Sequence, residues 1–350
     1  MRRDTENNLI KVKKFKDIDL NDVFFDSLKA DYPGFEEWFY RKHEQEAFVF
    51  DNDDSTIVAF MYLKIEDEEV KDVHPNLTKD RRLKIGTMKI DAHGTRMGER
   101  FIKKALDYAM QYDCNDLYVT IFEKHRGLIK HFEKYGFYHH GYKVGSDEMV
   151  FRKTFSYPTG DVVLDYPLIK KGEKSKFLLS IYPEFHTRLF PDSILNNERF
   201  DVIEDVSHTN SIHKVYLSGI PAVSNIRNGD IIIIYRTSDT PGKAYYRSVA
   251  TSVCVVEEIR SISSFKSIED YLAYCSAYSV YSNEELVHEY SQKLYVIRMT
   301  YNLALTRRLT RGTLLELGVD GGYWGFFRLN DEWFEKILES GGANERFIIN

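Results

Sequence analysis

The sequence predicts a mixed α/β protein built from two domains, and three observations carry that prediction. The chain has 350 residues, which is long for a single domain. Its first half alternates strand-like and helix-like segments, whereas short strands rich in Val, Ile and Tyr predominate from His213 onward. The Ser-Tyr-Pro-Thr-Gly sequence at 156–160 interrupts the first pattern. We therefore expect a first domain at 1–155, a connecting segment at 156–205 and a second domain at 206–350.

Composition limits the classes of protein to which the chain can belong. Hydrophobic residues make up 43% of the chain and charged residues 29%, so both halves can bury a core. No apolar run reaches the length of a bilayer span, and Met1–Glu6 lacks the apolar core of a signal peptide, which predicts a cytoplasmic protein without membrane contact. A formal net charge of −6 means that any nucleic-acid contact must come from a local patch. The three cysteines are too scattered for a metal knuckle, so we predict no metal.

The start of the chain predicts one strand, two helices and a hairpin. The first strand alternates apolar and basic residues. Asp19 or Asn21 is expected to cap the first helix, and Pro33 and Gly34 begin the second. The polar turn at 52–55 joins the hairpin strands. The predicted elements are a strand at Asn8–Phe15, helices at Val23–Ala30 and Phe35–Lys42, and hairpin strands at Ala47–Asp51 and Thr56–Ile65.

The most informative stretch follows, from Arg82 to Phe137. Its apolar positions fit a strand, an amphipathic helix, a second strand and a second helix. Two further strands complete the sheet. The predicted elements are strand Leu83–Ile90, helix Glu99–Tyr112, strand Leu117–Phe122, helix Leu128–Tyr135, and closing strands Tyr138–Tyr142 and Glu148–Phe155.

The turn before the first helix of this stretch has the features of an anion site. It reads His-Gly-Thr-Arg-Met-Gly from His93 to Gly98. The first turn of a helix has unpaired N–H groups and a positive dipole end, which favour a bound anion. Gly94 and Gly98 permit close approach of a ligand. Alternatively, Gly94 only shapes the loop and Gly98 only permits close helix packing.

This stretch resembles the pyrophosphate-binding core of the GNAT acyltransferases, which bind acetyl-CoA or another acyl-CoA. The turn corresponds to the family's Gln/Arg-x-x-Gly-x-Gly/Ala motif, and His-Phe-Glu-Lys-Tyr-Gly-Phe at 131–137 matches its Leu-Tyr-Glu-Lys-x-Gly-Phe ending. His93 and Arg96 depart from the usual first and fourth motif residues, and Phe132 replaces a tyrosine that often serves as general acid. The resemblance covers 8–155 and implies a mixed sheet flanked by helices.

The resemblance also implies a donor substrate, acetyl-CoA or another acyl-CoA, and the residues that bind it. The diphosphate would bind the turn, and the pantetheine arm would pair with the backbone at the end of the first strand. His125 stands where the family often has an asparagine. The implied donor-binding residues are Met88, Ile90, His93, Gly94, Thr95, Arg96, Met97, Gly98, His125 and Phe132.

The resemblance implies that the two central strands splay apart and hold the acyl group and thioester. Glu123, at the predicted splay, is one candidate general base, and the carboxylates at 66–69 are others. Because Phe132 has no hydroxyl, Tyr135 is a candidate proton donor to the leaving thiolate. His125 and His131 are alternative donors, although each of these side chains could simply lie at the surface. Aromatic residues expected to border the acceptor cleft are Tyr32, Trp38, Phe39 and Tyr40.

The second half contains several short strands and few helices, which predicts a small β-barrel. A short strand and helix are also expected in the connecting segment, at Lys176–Ile181 and from Pro183. The remaining predicted strands are Lys214–Ser218, Asp230–Arg236, Tyr246–Ile259, Lys293–Thr300 and Thr313–Leu317, and the helices are Ile268–Cys275, Asn283–Tyr290 and Asp331–Leu338.

This half looks like the PUA-like superfamily, which includes the ASCH and EVE domains. Three segments carry the likeness: Asn228–Tyr235, Tyr246–Glu258 and Tyr323–Leu329. The resemblance implies recognition of RNA or a modified base through aromatic stacking and basic side chains. Alternatively, the arginines form a solvated turn and Trp324 belongs to the core. The candidate residues are Tyr235, Arg236, Arg247, Arg307, Arg308 and Trp324, with Tyr245, Arg311 and Arg328 nearby.

Three functions stay open at this point. The first is an N-acetyltransferase whose amine acceptor is an RNA, an aminoacyl-RNA or an RNA-associated protein. The second is an acyltransferase for a small-molecule or protein amine, with the second domain serving homodimerisation or lid closure. The third is an acyl-CoA sensor without catalytic power, which the Phe132 substitution favours.

Overall fold

The computed structural model describes residues 10–52, 54, 56–91, 96–190 and 211–350. The chain forms two compact units, Met1–Glu133 with Phe137–Ser156, and Lys134–Gly136 with Tyr157–Asn350. Apart from Ser156, the described part of the expected connecting segment belongs to the second unit. Every described helix is too short or too polar to cross a bilayer.

The first unit contains an eight-stranded mixed sheet in the order β1-β2-β3-β5-β6-β8-β7-β4. Helices flank this sheet. The strands are β1 (Lys11–Lys14), β2 (Glu46–Asp51), β3 (Ile57–Glu66), β4 (Val73–His74), β5 (Arg82–Ile90), β6 (Asp116–Phe122), β7 (Tyr138–Lys143) and β8 (Glu148–Thr154). The helices are α1 (Asp26–Asp31), α2 (Phe35–Arg41), α3 (Met97–Gln111) and α4 (Arg126–Lys134).

The first predicted helix differs from the observed one because its start is a tighter turn. A 3₁₀ helix occupies Val23–Phe25, and α1 follows it. The cap is Asp22, whose Oδ1 accepts a hydrogen bond from the backbone N–H of Phe24 at 2.9 Å. The expected cap at Asp19 or Asn21 is therefore wrong by one residue or more.

Aromatic side chains form the core between β2, β3 and the two short helices. Phe15, Phe25, Phe39 and Phe60 are buried, and Phe15 meets Phe39 edge-on with ring centroids 4.7 Å apart. Edge-to-face contacts of this kind stabilise a core beyond the area they bury. This packing fixes α2 against the sheet.

The second unit contains a six-stranded sheet in the order β11-β14-β13-β12-β10-β15, and a separate pair of short strands. The strands are β9 (Ile169–Lys170), β10 (Lys176–Ile181), β11 (His213–Ser218), β12 (Ile231–Arg236), β13 (Val249–Ser261), β14 (Tyr295–Thr310), β15 (Phe326–Leu329) and β16 (Ile348–Ile349). The helices are α5 (Pro183–Leu189), α6 (Ala244–Arg247), α7 (Ile268–Ser276), α8 (Asn283–Tyr290), α9 (Arg311–Glu316) and α10 (Asp331–Ser340).

The mixed α/β class is observed, but the sheet of the second unit is open. Strands β11 and β15 lie at its two edges, and among the described residues no pairing joins them into a ring. The run Ile231–Ile234 in β12 is fully buried, because β12 lies between β10 and β13 and contributes both of its faces to the interior.

Three predictions for the second unit are wrong in detail. The strand predicted from Tyr246 begins only at Val249, because Tyr246 and Arg247 belong to α6. Thr313–Leu317 is not a strand, since α9 begins at Arg311 and the Oγ1 of Thr310 accepts a hydrogen bond from the N–H of Thr313 at 3.1 Å. The strand predicted to end at Thr300 continues to Thr310, because β13 supplies a partner along that length.

Candidate functional site

The candidate site lies where β5 and β6 stop pairing. These parallel strands pair over four residues, from Arg82 opposite Asp116 to Ile85 opposite Val119. Beyond that point β5 pairs only with β3, and β6 pairs only with β8. The facing edges of the two strands therefore present backbone groups that have no strand partner among the described residues. The prediction of splayed central strands is confirmed.

Gly86 marks the point of separation. Thr87 lies opposite Tyr62 and Ile85 lies opposite Leu63, so Gly86 is an extra residue in β5 and forms a bulge. A β-carbon at position 86 would lie 2.8 Å from Cδ1 of Tyr62, so any residue larger than glycine would have to displace that ring. Gly86 is not among the site residues predicted from the sequence, although an isolated glycine within a strand pattern indicates a bulge.

A cleft of about 870 Å³ opens between the splayed strands and the helices α1 and α2. This volume suits a small-molecule site. Its lining includes Ile85–Ile90 of β5 with the following Asp91, Val119–Ile121 of β6, and residues of α1 and α2. All of its lining residues belong to the first unit.

A buried carboxylate, Glu148, lies in the cleft beside the end of β6. Its side chain is 4% exposed. Its Oε1 accepts hydrogen bonds from Oγ1 of Thr120 at 3.0 Å and from the hydroxyl of Tyr32 at 3.4 Å. Its Oε2 accepts from Nζ of Lys143 at 2.5 Å and from Oγ of Ser146 at 3.2 Å. Burial and the charge of Glu148 raise the pKa of Tyr32, so this phenol stays protonated through the neutral range.

A second carboxylate, Glu66, lies in the cleft at the end of β3. It accepts hydrogen bonds from the hydroxyl of Tyr118 at 2.7 Å and from Nζ of Lys64 at 2.8 Å. Burial alone would raise the pKa of Glu66, but these hydrogen bonds outweigh it and lower that pKa. Of the predicted carboxylates at 66–69, Glu66 lines the cleft, whereas Glu68 and Glu69 form exposed ion pairs.

Three of the predicted donor-binding residues line the cleft: Met88, Ile90 and His125. Met88 and Ile90 lie on the part of β5 that has left β6. Three others, His93, Gly94 and Thr95, lie outside the described residues.

The remaining predicted donor-binding residues lie at the start of α3 or in the core. Arg96 precedes α3 and forms an ion pair with Glu99 at 3.8 Å, and Met97 is buried. A β-carbon at Gly98 would lie 3.0 Å from the ring of His131, so Gly98 permits the close packing of α4 on α3 that was the alternative interpretation. Phe132 is fully buried and contacts Phe137 with ring centroids 4.8 Å apart.

The two catalytic residues predicted from the sequence are not among the residues that line the cleft. Glu123 has a side chain that is 69% exposed and forms an ion pair with Arg126 at 2.9 Å. Tyr135 is fully buried. Of the aromatic residues expected at the cleft, Tyr32 and Trp38 line it, but Phe39 is buried in the core and Tyr40 is 63% exposed.

The residues predicted to bind nucleic acid do not form one exposed surface. Tyr235, Arg236 and Trp324 are buried. Arg247 makes two hydrogen bonds to the carboxylate of Asp239, at 2.5 and 2.6 Å. Arg308 is half-buried and Arg307 is exposed. The rings of Tyr235 and Trp324 lie 5.3 Å apart within the core, which was the alternative interpretation of Trp324. Among the described residues, no group of three or more metal-ligating side chains could hold a metal ion.

Comparison with known proteins finds similarity only among solved structures. No protein-family model and no curated protein matches the chain. A mutant of the ASCH protein ZmASCH from Zymomonas mobilis is 11% identical, with a TM-score of 0.33 over 48% of this chain and 97% of its own. Naa20 from Chaetomium thermophilum, in complex with a bisubstrate analogue, is 16% identical, with a TM-score of 0.31 over 42% of this chain and 86% of its own. A GNAT-family acetyltransferase from Listeria monocytogenes is 14% identical, with a TM-score of 0.31 over 41% of this chain and 94% of its own.

Proposed function

We propose that the protein is an acyl-CoA-dependent N-acyltransferase that transfers the acyl group, acetyl in the simplest case, to a primary amine. One observation carries the proposal: β5 leaves β6 at the Gly86 bulge and exposes a strand edge inside a cleft. An extended ligand with amide groups can pair with such an edge as an added strand. The pantetheine arm of coenzyme A contains two amides and fits this requirement.

In this proposal the residues of the cleft assist three changes in the reactants. The amine nitrogen forms a bond to the thioester carbon, the carbon–sulfur bond breaks, and the amine loses a proton while the thiolate gains one. Backbone N–H groups of β5 beyond Gly86 stabilise the charge that develops on the carbonyl oxygen. Glu148 takes the amine proton, because it is the buried carboxylate beside the splay, and Thr120 and Tyr32 hold its Oε1 in place.

The alternative of a sensor without catalytic power is weakened by the position of Phe132. The missing hydroxyl matters only if that side chain reaches the reacting groups. Phe132 is buried against Phe137, so its replacement removes no group from the cleft.

Recognition of RNA by the second unit stays a prediction, as do an RNA-borne acceptor and homodimerisation. Tyr235 and Trp324 are buried and do not offer a ring face to a base, whereas the nearby candidate Tyr245 is exposed. Salt-dependent binding of RNA by the full chain would support it, and its absence at low salt would contradict it.

Titration calorimetry with acetyl-CoA, followed by an assay of released thiol with a panel of amines, tests the proposal. We expect binding with a Kd in the micromolar range, which is usual for an enzyme substrate, and release of coenzyme A that depends on the amine. Binding without release for any amine would support the sensor. Absence of any heat with acetyl-CoA and longer acyl-CoAs would overturn the proposal.

A further inference from the structure

Cationic side chains are concentrated at the end of the cleft where β5 and β6 are still paired. Lys64 of β3 and Lys84 of β5 lie directly opposite each other, and both line the cleft. Like charges at directly opposed positions destabilise an antiparallel pair. Arg41 and Lys42, at the end of α2, line the same cleft. A helix C-terminus favours cations, which accounts for these two residues but not for Lys84 on a strand.

The lysines at this end repel one another. Burial lowers the pKa of Lys42, and the nearby charges of Lys64, Arg41 and Lys84 lower it further. Both Lys42 and Lys84 lie near aromatic rings, with Nζ 5.3 Å from the centre of the Tyr62 ring and 5.4 Å from that of Tyr118. Cation–π contacts at such distances offset only part of the repulsion.

The carboxylates of the cleft do not neutralise this cluster, because nearly all of them already have cationic partners. Glu66 pairs with Lys64, Asp91 with Lys89, and Glu148 with Lys143. Asp31, likewise, pairs with Lys124 and His125.

The remaining carboxylate of the lining, Glu37, lies one helical turn before Arg41 in α2, and its Oε2 is directed toward Gly34 at the start of the helix. In the part of the chain that the structure describes, no carboxylate oxygen lies within 4.0 Å of Arg41, Lys42 or Lys84. None of these three cations therefore forms an ion pair with a described carboxylate, and the charge of Lys84 acts on a carboxylate only at longer range, where it helps to lower the pKa of Glu66.

We propose that Arg41, Lys42 and Lys84 bind an anionic group, a carboxylate or a phosphate, on the amine that accepts the acyl group. This inference rests on the proposed function and deepens it. Arginine suits both anions, because its planar fork can donate two hydrogen bonds to either. The acceptor is thus a small molecule that bears both an amine and an anion.

The position of Lys84 sets the distance between those two groups. Lys84 precedes the Gly86 bulge by two residues, which places the anion about 7 Å along the strand from the splay. An amine and an anion separated by a few bonds span that distance. The phosphates of the acyl donor do not account for the cluster, since β5 runs on to Ile90 and α3 begins beyond it, about 20 Å of strand away.

Matched pairs of acceptors test the proposal: O-phosphoethanolamine against ethanolamine, and γ-aminobutyrate against butylamine. We expect kcat/KM to be about tenfold or more higher for the anionic member of at least one pair. The two pairs separate a preference for phosphate from one for carboxylate. Lys84→Gln should remove most of this preference, measured as the ratio of kcat/KM for the anionic and the neutral member of each pair. Lys79→Gln is the control, since Lys79 is 72% exposed, pairs with Glu68 and lies outside the cleft.

Equal rates for charged and neutral amines, or an equal loss for both in Lys84→Gln, would overturn the proposal. So would acylation of amines carried on RNA to the exclusion of small anionic amines.

A second measurement, of thermal stability, requires no enzymatic turnover. It tests the anion site separately from the proposed acyl transfer. Inorganic phosphate, compared with chloride at the same ionic strength, should raise the Tm of the wild-type protein but not that of Lys84→Gln. The substitution removes both the repulsion of Lys42 and the contact with Tyr118, so the quantity to compare is the Tm shift that phosphate produces in each protein. If phosphate stabilises both proteins equally, the cationic site is refuted even where acetyl-CoA binds. If acetyl-CoA fails to bind while phosphate acts only on the wild type, the acyl-transfer proposal fails and the anion site survives.

Discussion

The two sheets of this protein differ in how far their central strands stay paired. In the first unit, the Gly86 bulge lies in the β3–β5 pair, and the parallel neighbour β6 pairs with β5 over four residues and leaves it at that point. In the second unit, β13 and β14 pair from Val249 opposite Thr310 to Ser261 opposite Tyr295, in spite of three register shifts. A bulge by itself therefore does not open a sheet. Outer partners do not account for the difference either, since β3 and β8 flank β5 and β6 just as β12 and β11 flank β13 and β14.

The side chains of the two sheets also differ between the strands that separate and the strands that stay paired. β12 of the second unit contributes a run of fully buried isoleucines to a continuous core. β5 of the first unit carries Thr87 and Lys89 into the cleft beyond its pairing with β6, and both are half-buried. The polar groups that can act on a ligand thus collect where strand pairing fails.

The largest expected effect concerns the closed end of the splay. There Nε of Arg82 donates to Asp116 at 3.1 Å, and both side chains are buried. Asp116→Ala should lower the free energy of unfolding by about 3–5 kcal/mol, because it leaves a buried guanidinium without its partner. Asp67→Ala is a matched control, since Asp67 pairs with the adjacent Arg81 at the surface, and it should cost about 1 kcal/mol or less. Urea denaturation measures both. Equal losses of unfolding free energy in the two variants would mean that burial does not make the Arg82–Asp116 pair more important than the Arg81–Asp67 pair.

The next effect tests which carboxylate of the open end takes part in the reaction. Glu148→Gln keeps the shape of the side chain but removes its basicity, so kcat should fall by about 100-fold or more while the Kd for acetyl-CoA changes little. Glu123→Gln should change kcat less than twofold, because Glu123 is exposed and outside the cleft lining. Steady-state kinetics measures kcat for each variant, and titration calorimetry measures the Kd for acetyl-CoA. A larger fall of kcat in Glu123→Gln than in Glu148→Gln would instead support Glu123, the general base predicted from the sequence.

A smaller effect is expected from filling the bulge. Gly86→Ala brings a β-carbon against the ring of Tyr62 and should destabilise the protein by about 1–3 kcal/mol through overpacking. It should also weaken acetyl-CoA binding, because β5 must shift at the splay. Gly219→Ala serves as control, since its nearest neighbouring atoms lie 3.8 Å away and the cost should stay within about 0.5 kcal/mol. Unchanged stability and affinity in Gly86→Ala would show that the bulge does not need glycine.

An effect of similar size is expected in the second unit, at His186 of α5, and it appears as a pH dependence. Burial, and then the nearby charges of Arg236 and Arg308, lower the pKa of His186 to about 3. Between pH 6.5 and 3 the unfolded chain binds a proton at this histidine and the folded chain does not. Stability is therefore complete above pH 6.5 and falls on acidification by up to about 1.4 kcal/mol per pH unit.

His186→Gln should flatten this dependence between pH 6.5 and 5, where most carboxylates are still ionised. Glutamine can keep a hydrogen bond to Thr251, whose Oγ1 lies 2.8 Å from Nε2 of His186. Thermal denaturation of the two full-length proteins across this range provides the comparison. Parallel curves would show that His186 titrates alike in the folded and unfolded chains.

Local sequence signals were sufficient for most elements. The strand at Lys176–Ile181 and the helix at Asn283–Tyr290 have the predicted bounds, the latter because Ser282 and Glu285 form a capping box. Thr313–Leu317 was predicted wrongly, since β-branched and leucine residues resemble a strand until the Thr310 cap is recognised. Met88, Ile90 and His125 line the cleft, and the resemblance alone had implied them.

By itself the sequence determined most of the strands and helices and their order along the chain, while the resemblance implied the separation of the two central strands and the exposed edge of β5. Only the tertiary structure decided which ionisable groups meet there. Tyr32, Thr120 and Glu148 are far apart in the chain and come together because β6 pairs with β8 and α1 packs nearby. The burial that distinguishes Glu148 from the exposed Glu123 depends on those distant neighbours, and no local pattern of residues encodes it.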